Sequence, residues 1–276
     1  MSYKKILSLQ DISCVGQCSL TVALPIISAC GVETAVLPTA VLSTHTGGFS
    51  GYTFRDLTDD IPAISEHWSK ENIRFDAVYS GYLGSTRQID MVKNIIDAHN
   101  DGVSIVDPAM ADNGKLYYGF DNEFVKSMAS LCAKADIILP NITEACFMTG
   151  FEYKTEYDRE YIDNLLLALK KMGANTIILT GVTYNAQTTG VVVYENDTYS
   201  YYEHKKLEGG CHGTGDVYAS AFTGALMRGF STFESASIAA DYTLLCIETT
   251  IPDSKEHWYG VKFEKCIPDL INMLNK

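Results

Sequence analysis

Lys5-Ile6-Leu7-Ser8-Leu9-Gln10-Asp11-Ile12-Ser13-Cys14-Val15-Gly16-Gln17-Cys18-Ser19-Leu20 opens the chain with a change of character that decides the fold class. Residues 5–10 set Ile6, Leu7 and Leu9 among Lys5, Ser8 and Gln10 and read as a buried strand. Residues 11–17 are short and polar and read as a loop, and residues 18–30 fit a helix ended by Gly31. A second strand follows at once over residues 33–37. Strand, loop, helix and strand make a βαβ opening, which places the loop at the carboxyl end of the first strand.

The same alternation runs outward from this segment. Helices are expected at 61–71, 88–98, 123–133, 143–149 and 156–172, with strands at 77–80, 103–107, 137–139 and 176–180. A hairpin is expected from 190–194 and 198–202 about Asn196-Asp197, and helices at 217–228, 233–248 and 267–274 complete the chain. Residues 41–53 break the rhythm with Thr, Ser, His and three glycines, and read as a lid or flap outside the sheet. The repeated units imply a mostly parallel sheet covered on both faces, with ligands at the carboxyl ends of its strands. With 276 residues and no linker, tail or internal repeat, one domain over 1–276 is expected, carrying the lid as an insertion.

Composition narrows the function. The chain is 46% hydrophobic and 20% charged, with a formal net charge of −13, which argues against nucleic acid as a partner. Its eight cysteines are scattered without Cys-x-x-Cys pairs or matching histidines, so neither zinc nor a disulfide framework is indicated and a reducing cytoplasm is expected. No apolar run approaches membrane-spanning length, and the first ten residues lack a secretion pattern.

Gly209-Gly210-Cys211-His212-Gly213-Thr214-Gly215-Asp216 then runs directly into an apolar helix. Glycines opening a helix form an anion site, because N–H groups converge where the helix dipole favours negative charge. Asp216 would repel a phosphate held only as a ligand, so its presence points to proton abstraction beside a phosphate in transfer. The same residue also reads as a plain first-turn acid or cap. The motif lacks a Gly-Lys-Ser/Thr ending, so it is not a Walker A loop. Asp107, Asn141 and Glu144 form a second group that could hold Mg²⁺ directly or through its waters, while Asn141-x-x-Glu144 alone also reads as a helix capping box and Asp107-Pro108 as a turn. Cys211, at a glycine-rich helix start, is a candidate for a thiol of lowered pKa, or a small residue in a tight turn.

These residues resemble the ribokinase-like kinases and, within them, the pyridoxal (vitamin B6) kinases. The resemblance is carried by Gln10-Asp11-Ile12-Ser13-Cys14-Val15-Gly16, Ser43-Thr44-His45-Thr46-Gly47, Ser80-Gly81-Tyr82-Leu83-Gly84-Ser85, Asp107-Pro108-Ala109-Met110, Leu139-Pro140-Asn141-Ile142-Thr143-Glu144 and Gly213-Thr214-Gly215-Asp216. It implies a three-layer α/β/α sandwich and ATP-dependent phosphorylation of the hydroxymethyl of pyridoxal, pyridoxine or pyridoxamine. It also implies that Asp216 is the base, with Gly213, Thr214 and Gly215 as the anion hole. Asp11, His45, Thr46, Gly47 and Tyr82 would line the ring pocket, and His45 also reads as a lid residue with a structural hydrogen bond. Asp107, Glu144, Thr180, Gly181 and Tyr117 would serve ATP, Tyr118 being the alternative to Tyr117, with Asp107, Glu144 and Asn141 toward Mg²⁺. A monovalent cation such as K⁺ and a homodimer are further expectations of the resemblance.

The chain departs from that pattern at three positions. Asp11 stands where many B6 kinases have Ser and favours a cationic ring or an amine, which brings the hydroxymethylpyrimidine of thiamine synthesis forward as an alternative substrate. Gly181 stands where some members have Lys, and Ala111 where Gly is usual. A carrier that binds pyridoxal phosphate or ATP without chemistry is the alternative from another class, against which Asp216 speaks, because binding needs no base.

Overall fold

A computed structural model describes residues 3–207 and 211–275. The elements in order are β1 (Lys5–Ser13), α1 (Leu20–Ala29), β2 (Glu33–Leu42), β3 (Phe54–Asp56), α2 (Ile61–Lys70), β4 (Phe75–Ser80), α3 (Thr86–His99) and β5 (Asn100–Val106). There follow β6 (Ala111–Asp112), β7 (Lys115–Leu116), α4 (Asn122–Cys132), β8 (Ile137–Ile138), α5 (Ile142–Thr149), α6 (Arg159–Met172) and β9 (Thr176–Val182). The chain ends with β10 (Thr188–Glu195), β11 (Thr198–Lys205), α7 (Thr214–Met227), α8 (Thr232–Thr250) and α9 (Phe263–Met273).

Among the described residues nine strands make one sheet in the order β11-β10-β9-β8-β5-β4-β1-β2-β3. The six central strands are parallel, while β3, β10 and β11 add antiparallel edges. Alternate residues of β1 feed opposite cores: Leu7 and Leu9 pack with α2 to α6, and Ile6 packs with α1, α7, α8 and α9. The result is the expected three-layer α/β/α sandwich. Helices α1 and α7 meet closely because residue 224 is glycine: a Cβ there would lie 2.3 Å from Cys30 Sγ.

The differences from the sequence expectation are local. β2 runs five residues further than 33–37, to Leu42, because 40–42 pair with β3, a three-residue exposed strand too short to show periodicity. The excursion is therefore 43–53, closed at its base by Ser43 N–H to the Thr53 carbonyl at 3.1 Å and by Thr53 N–H to Ser43 Oγ at 2.8 Å. α6 starts at Arg159 because the Asp158 carboxylate caps it, accepting from Tyr161 N–H at 2.9 Å. The small β6–β7 ribbon was not expected. No helix among the described residues is long and apolar enough to cross a membrane.

The chain leaves β1 in one direction to β2 and later returns on its other side to β4, so the strand order reverses at β1. At such a switch point the strand ends diverge and leave a crevice. Asp11 and Ser80-Gly81-Tyr82 lie at its rim, with Asp107 following β5 on the next strand.

Candidate active site

Gly213 caps α7 at φ 76°, a left-handed conformation that a side chain would resist, so α7 begins at Thr214 and Asp216 falls in its first turn. Gly209 and Gly210 lie outside the described residues. Asp216 keeps a partial opening to the cleft while protein surrounds its carboxyl elsewhere. Burial pushes that carboxyl up to about 7, the Ser19 backbone opposes the rise and the Asp11 charge adds to it. A carboxylate of this proton affinity suits a general base near neutral pH.

Asp11 is 4% exposed and both its oxygens are held: Oδ1 accepts from Ser19 Oγ at 2.5 Å and Oδ2 from Ser13 Oγ at 3.0 Å. Burial raises its pKa against those two hydroxyls. Ser19 precedes α1, where serine ordinarily caps the helix, yet its side chain makes no cap bond and its backbone sits at φ 55°. Tyr82 lies near Asp11 and Tyr52, its hydroxyl pushed up to about 12 first by burial and then by those neighbours, and its ring is tilted against Phe120 at 5.6 Å.

Asp107 and Glu144 are buried side by side, at 8% and 3% exposure. Burial raises both, and the Asp107 charge raises Glu144 further; Asp216 does the same to Asp107. Glu144 accepts Asn141 N–H at 2.8 Å and Met110 N–H at 3.2 Å. Asn141 Oδ1 accepts Glu144 N–H at 2.9 Å and its Nδ2 donates to the Ala111 carbonyl at 2.8 Å. The capping box is thus present, and it leaves Asn141 only a second lone pair for a metal-bound water. No cluster of three or more His, Cys, Asp or Glu suited to a metal occurs among the described residues. Two buried acids that repel one another nevertheless fit Mg²⁺, which binds through one or two carboxylates and keeps water and phosphate for its remaining positions.

Thr180 and Gly181 come beside this pair because Asn141 bridges to Thr180, whose N–H donates to the Pro140 carbonyl at 2.9 Å. Gly181 adopts φ 73° with open space where a side chain would stand. Tyr117 is 41% exposed, but its hydroxyl lies near the cluster, its pKa raised first by burial and then by Glu144 and Asp107; Tyr118 is 99% exposed.

The lid departs from the expected pocket at His45. Its Nε2 donates to the Tyr259 carbonyl at 2.7 Å, and its Nδ1 accepts Gly47 N–H at 3.1 Å. A carbonyl can only accept and an N–H only donate, so the ring is the neutral Nε2–H tautomer with both nitrogens engaged. His45 fastens the lid, and no ring nitrogen is left for substrate. Burial holds its pKa below the usual value, with His212 lowering it further. Gly47 packs on His212, where a Cβ would lie 2.8 Å from Nδ1, and Thr46 is exposed. The Cys211 thiol is also corrected: burial raises its pKa, so the helix start does not hold a thiolate.

Ser13, Ser19, Gln17 and Tyr52 join the site without having been expected there. A serine before a helix is a readable signal, but one directed at a carboxylate eight residues upstream is not.

Comparison with known proteins finds a family and solved structures to which this chain is similar. The family model described as phosphomethylpyrimidine kinase matches residues 24–259. A candidate phosphomethylpyrimidine kinase from Bacteroides thetaiotaomicron, solved in a form with pyridoxal, is 38% identical with a TM-score of 0.91, covering 98% of this chain and 96% of that one. Pyridoxal kinase from Lactobacillus plantarum is 30% identical with a TM-score of 0.91, covering 99% of this chain and 98% of that one. Hydroxymethylpyrimidine/phosphomethylpyrimidine kinase of Bacillus subtilis is 27% identical over 79% of this chain and 80% of its own length.

Proposed function

The chain belongs to the phosphomethylpyrimidine kinase family of ribokinase-like enzymes, and on that premise we propose that it phosphorylates the hydroxymethyl group of pyridoxal, pyridoxine or pyridoxamine with ATP. It is a pyridoxal kinase in this reading, and the observation that carries it is Asp216: a carboxyl raised to about 7, beside the Gly213 turn and partly open to the cleft.

The reaction is an in-line displacement in which positioning and charge stabilisation dominate. Asp216 takes the hydroxymethyl proton as the alcohol oxygen bonds to the γ-phosphorus; the bond to the β,γ-bridging oxygen breaks and ADP leaves. The backbone N–H groups of Gly213, Thr214 and Gly215 meet the phosphoryl oxygens, and losing a strong donor of this kind costs about 3 kcal/mol in the barrier. Asp107 and Glu144 would hold Mg²⁺, with Asn141 orienting its water, and the ion supplies neutralisation of phosphate charge when bound. Tyr117 lies near the same cluster. Tyr82 and buried Asp11 border the ring pocket, and the 43–53 lid keeps out water, which competes as phosphoryl acceptor.

Hydroxymethylpyrimidine is the second substrate reading, favoured by the family description and the Bacillus subtilis relative. Coupled ADP release with the three B6 vitamers and hydroxymethylpyrimidine, alongside Asp216→Asn, tests both. Vitamer-dependent release that collapses in the variant with nucleotide binding retained supports the proposal. Release with hydroxymethylpyrimidine alone overturns it in favour of the second reading. Parallel runs in potassium and sodium salts read the monovalent-ion dependence.

A further inference from the structure

Gln17 takes no part in the chemistry above, yet the anion-hole turn and the C-terminal segment that carries the lid meet on it. The anion-hole turn closes so tightly on its carbonyl that a Cβ at Gly213 would lie 1.8 Å from that oxygen. Its side-chain amide is wholly engaged by the C-terminal segment 257–264. Nε2 donates to both carboxylate oxygens of Glu264 at 2.8 Å, and Oε1 accepts from His257 Nε2 at 2.8 Å. Gly260 packs on the same side chain, where a Cβ would stand 2.6 Å from Gln17 Cβ.

That segment also carries the lid. The Tyr259 carbonyl accepts from His45 Nε2 at 2.7 Å. Trp258 packs on Phe49 with ring centroids 4.6 Å apart, and Gly48 lies over it, a Cβ there meeting the indole at 2.6 Å. Gly16, next to Gln17, lies against the His45 ring from the other side, with 2.1 Å between a Cβ and Cδ2.

We propose that Gln17 is a positioning residue for phosphoryl transfer, joining segment 257–264, and with it the lid, to the anion-hole turn at Gly213. Lid placement and anion-hole geometry are then set together by one residue, its side-chain amide holding segment 257–264 and its main-chain carbonyl meeting the Gly213 turn. The proposal rests on the kinase reading, because it assigns Gly213 to the transferred phosphoryl group. A Gln17 that only staples the C-terminal segment would affect stability and leave turnover alone.

The full chain is tested as Gln17→Ala, Gln17→Glu, Glu264→Gln and the double variant Gln17→Glu with Glu264→Gln, which rebuilds the amide–carboxylate pair with its roles exchanged. Misplacing reacting groups from a distance costs roughly tenfold to a hundredfold in rate. Gln17→Ala and Gln17→Glu are expected to lose that much kcat, with KM for ATP within about twofold. The double variant is expected to recover kcat to within about threefold of the parent. Hydrogen exchange of 43–53 and 257–264 is expected to rise together in Gln17→Glu and fall together in the double variant.

Parental kcat in Gln17→Ala with only its Tm lowered overturns the proposal, as does a double variant no better than the worse single one. A parent that releases no ADP with any alcohol overturns the kinase reading, and the proposal with it. Normal parental turnover combined with either earlier result overturns the proposal alone.

Discussion

Replacing Asp216 with Asn is expected to make the protein more stable and nearly inactive, by an amount that depends on pH. The Asp216 carboxyl is raised from 3.8 to about 7, first by burial. A raised acid binds its proton more tightly in the folded state, so the stability it carries is fully present below the unfolded value and is lost as pH rises toward 7. Over that window the parent loses stability at about 1.4 kcal/mol per pH unit, to a ceiling of about 4 kcal/mol. Water reaching the carboxyl from the cleft reduces this to about 2 kcal/mol. The amide cannot ionise, so the advantage of Asp216→Asn should grow between pH 5 and 7 and level off above it, reaching a Tm gain of about 4 °C. Thermal unfolding of both proteins in a buffer series measures this, and ADP release over the same series should show a 10²- to 10⁴-fold loss of kcat. An advantage that is flat or shrinks with pH refutes the buried raised carboxyl, and retained turnover refutes the base.

Gly213→Ala forces a side chain at φ 76° into the Gln17 carbonyl 1.8 Å away, and should cost at least about 2 kcal/mol in chemical unfolding and lower kcat at unchanged alcohol affinity. His45 is held neutral by burial, so acid works against it: below its ordinary value of 6.5 a proton on Nδ1 displaces the Gly47 N–H. Limited proteolysis within 43–53 should therefore accelerate from pH 7 to 5.5 in the parent, and His45→Asn should be fast at both values. Gly224→Ala should cost about 1–3 kcal/mol by contact with Cys30 Sγ at 2.3 Å, leave KM values unchanged, and be largely rescued by Cys30→Ala.

The layer order was legible because several parallel strands carry a short apolar run between helical segments, as in 137–139 and 176–180. Asn141 and Glu144 were legible as a capping box, and the fold makes the box real while leaving the acid beside Asp107, as the proposed Mg²⁺ site requires. Local spacing also placed Asp216 in the first turn of a helix. What escaped was set by contacts distant in sequence. The tautomer of His45 is fixed by a carbonyl 214 residues away, and Gln17 by partners 240 and 247 residues away. Ser19 escaped for a different reason: the expected helix over 18–30 takes it in, and only the backbone at φ 55° turns its hydroxyl to Asp11.

The charge of the cleft ties the lid to the chemistry. Asp11, Asp107, Glu144 and Asp216 are all pushed toward their protonated forms, with burial the largest cause in each case. On the kinase reading, an open lid admits water that solvates Asp216 and weakens it as a base, and closure over a bound alcohol strengthens it after the competing acceptor has left. The proton affinity that governs kcat, measured with the alcohol bound, should therefore exceed the one that governs kcat/KM for the alcohol. Saturating Mg·ATP in both measurements holds the metal and nucleotide charge constant, so the difference between the two acid limbs reads the alcohol and the lid alone. With the free alcohol's own titration measured separately and removed, the kcat limb should lie at higher pH by roughly half a unit or more. Coincident limbs, or a kcat limb at lower pH, would show that Asp216 is no more desolvated with substrate than without it, and the lid would then have no part in setting the strength of the base.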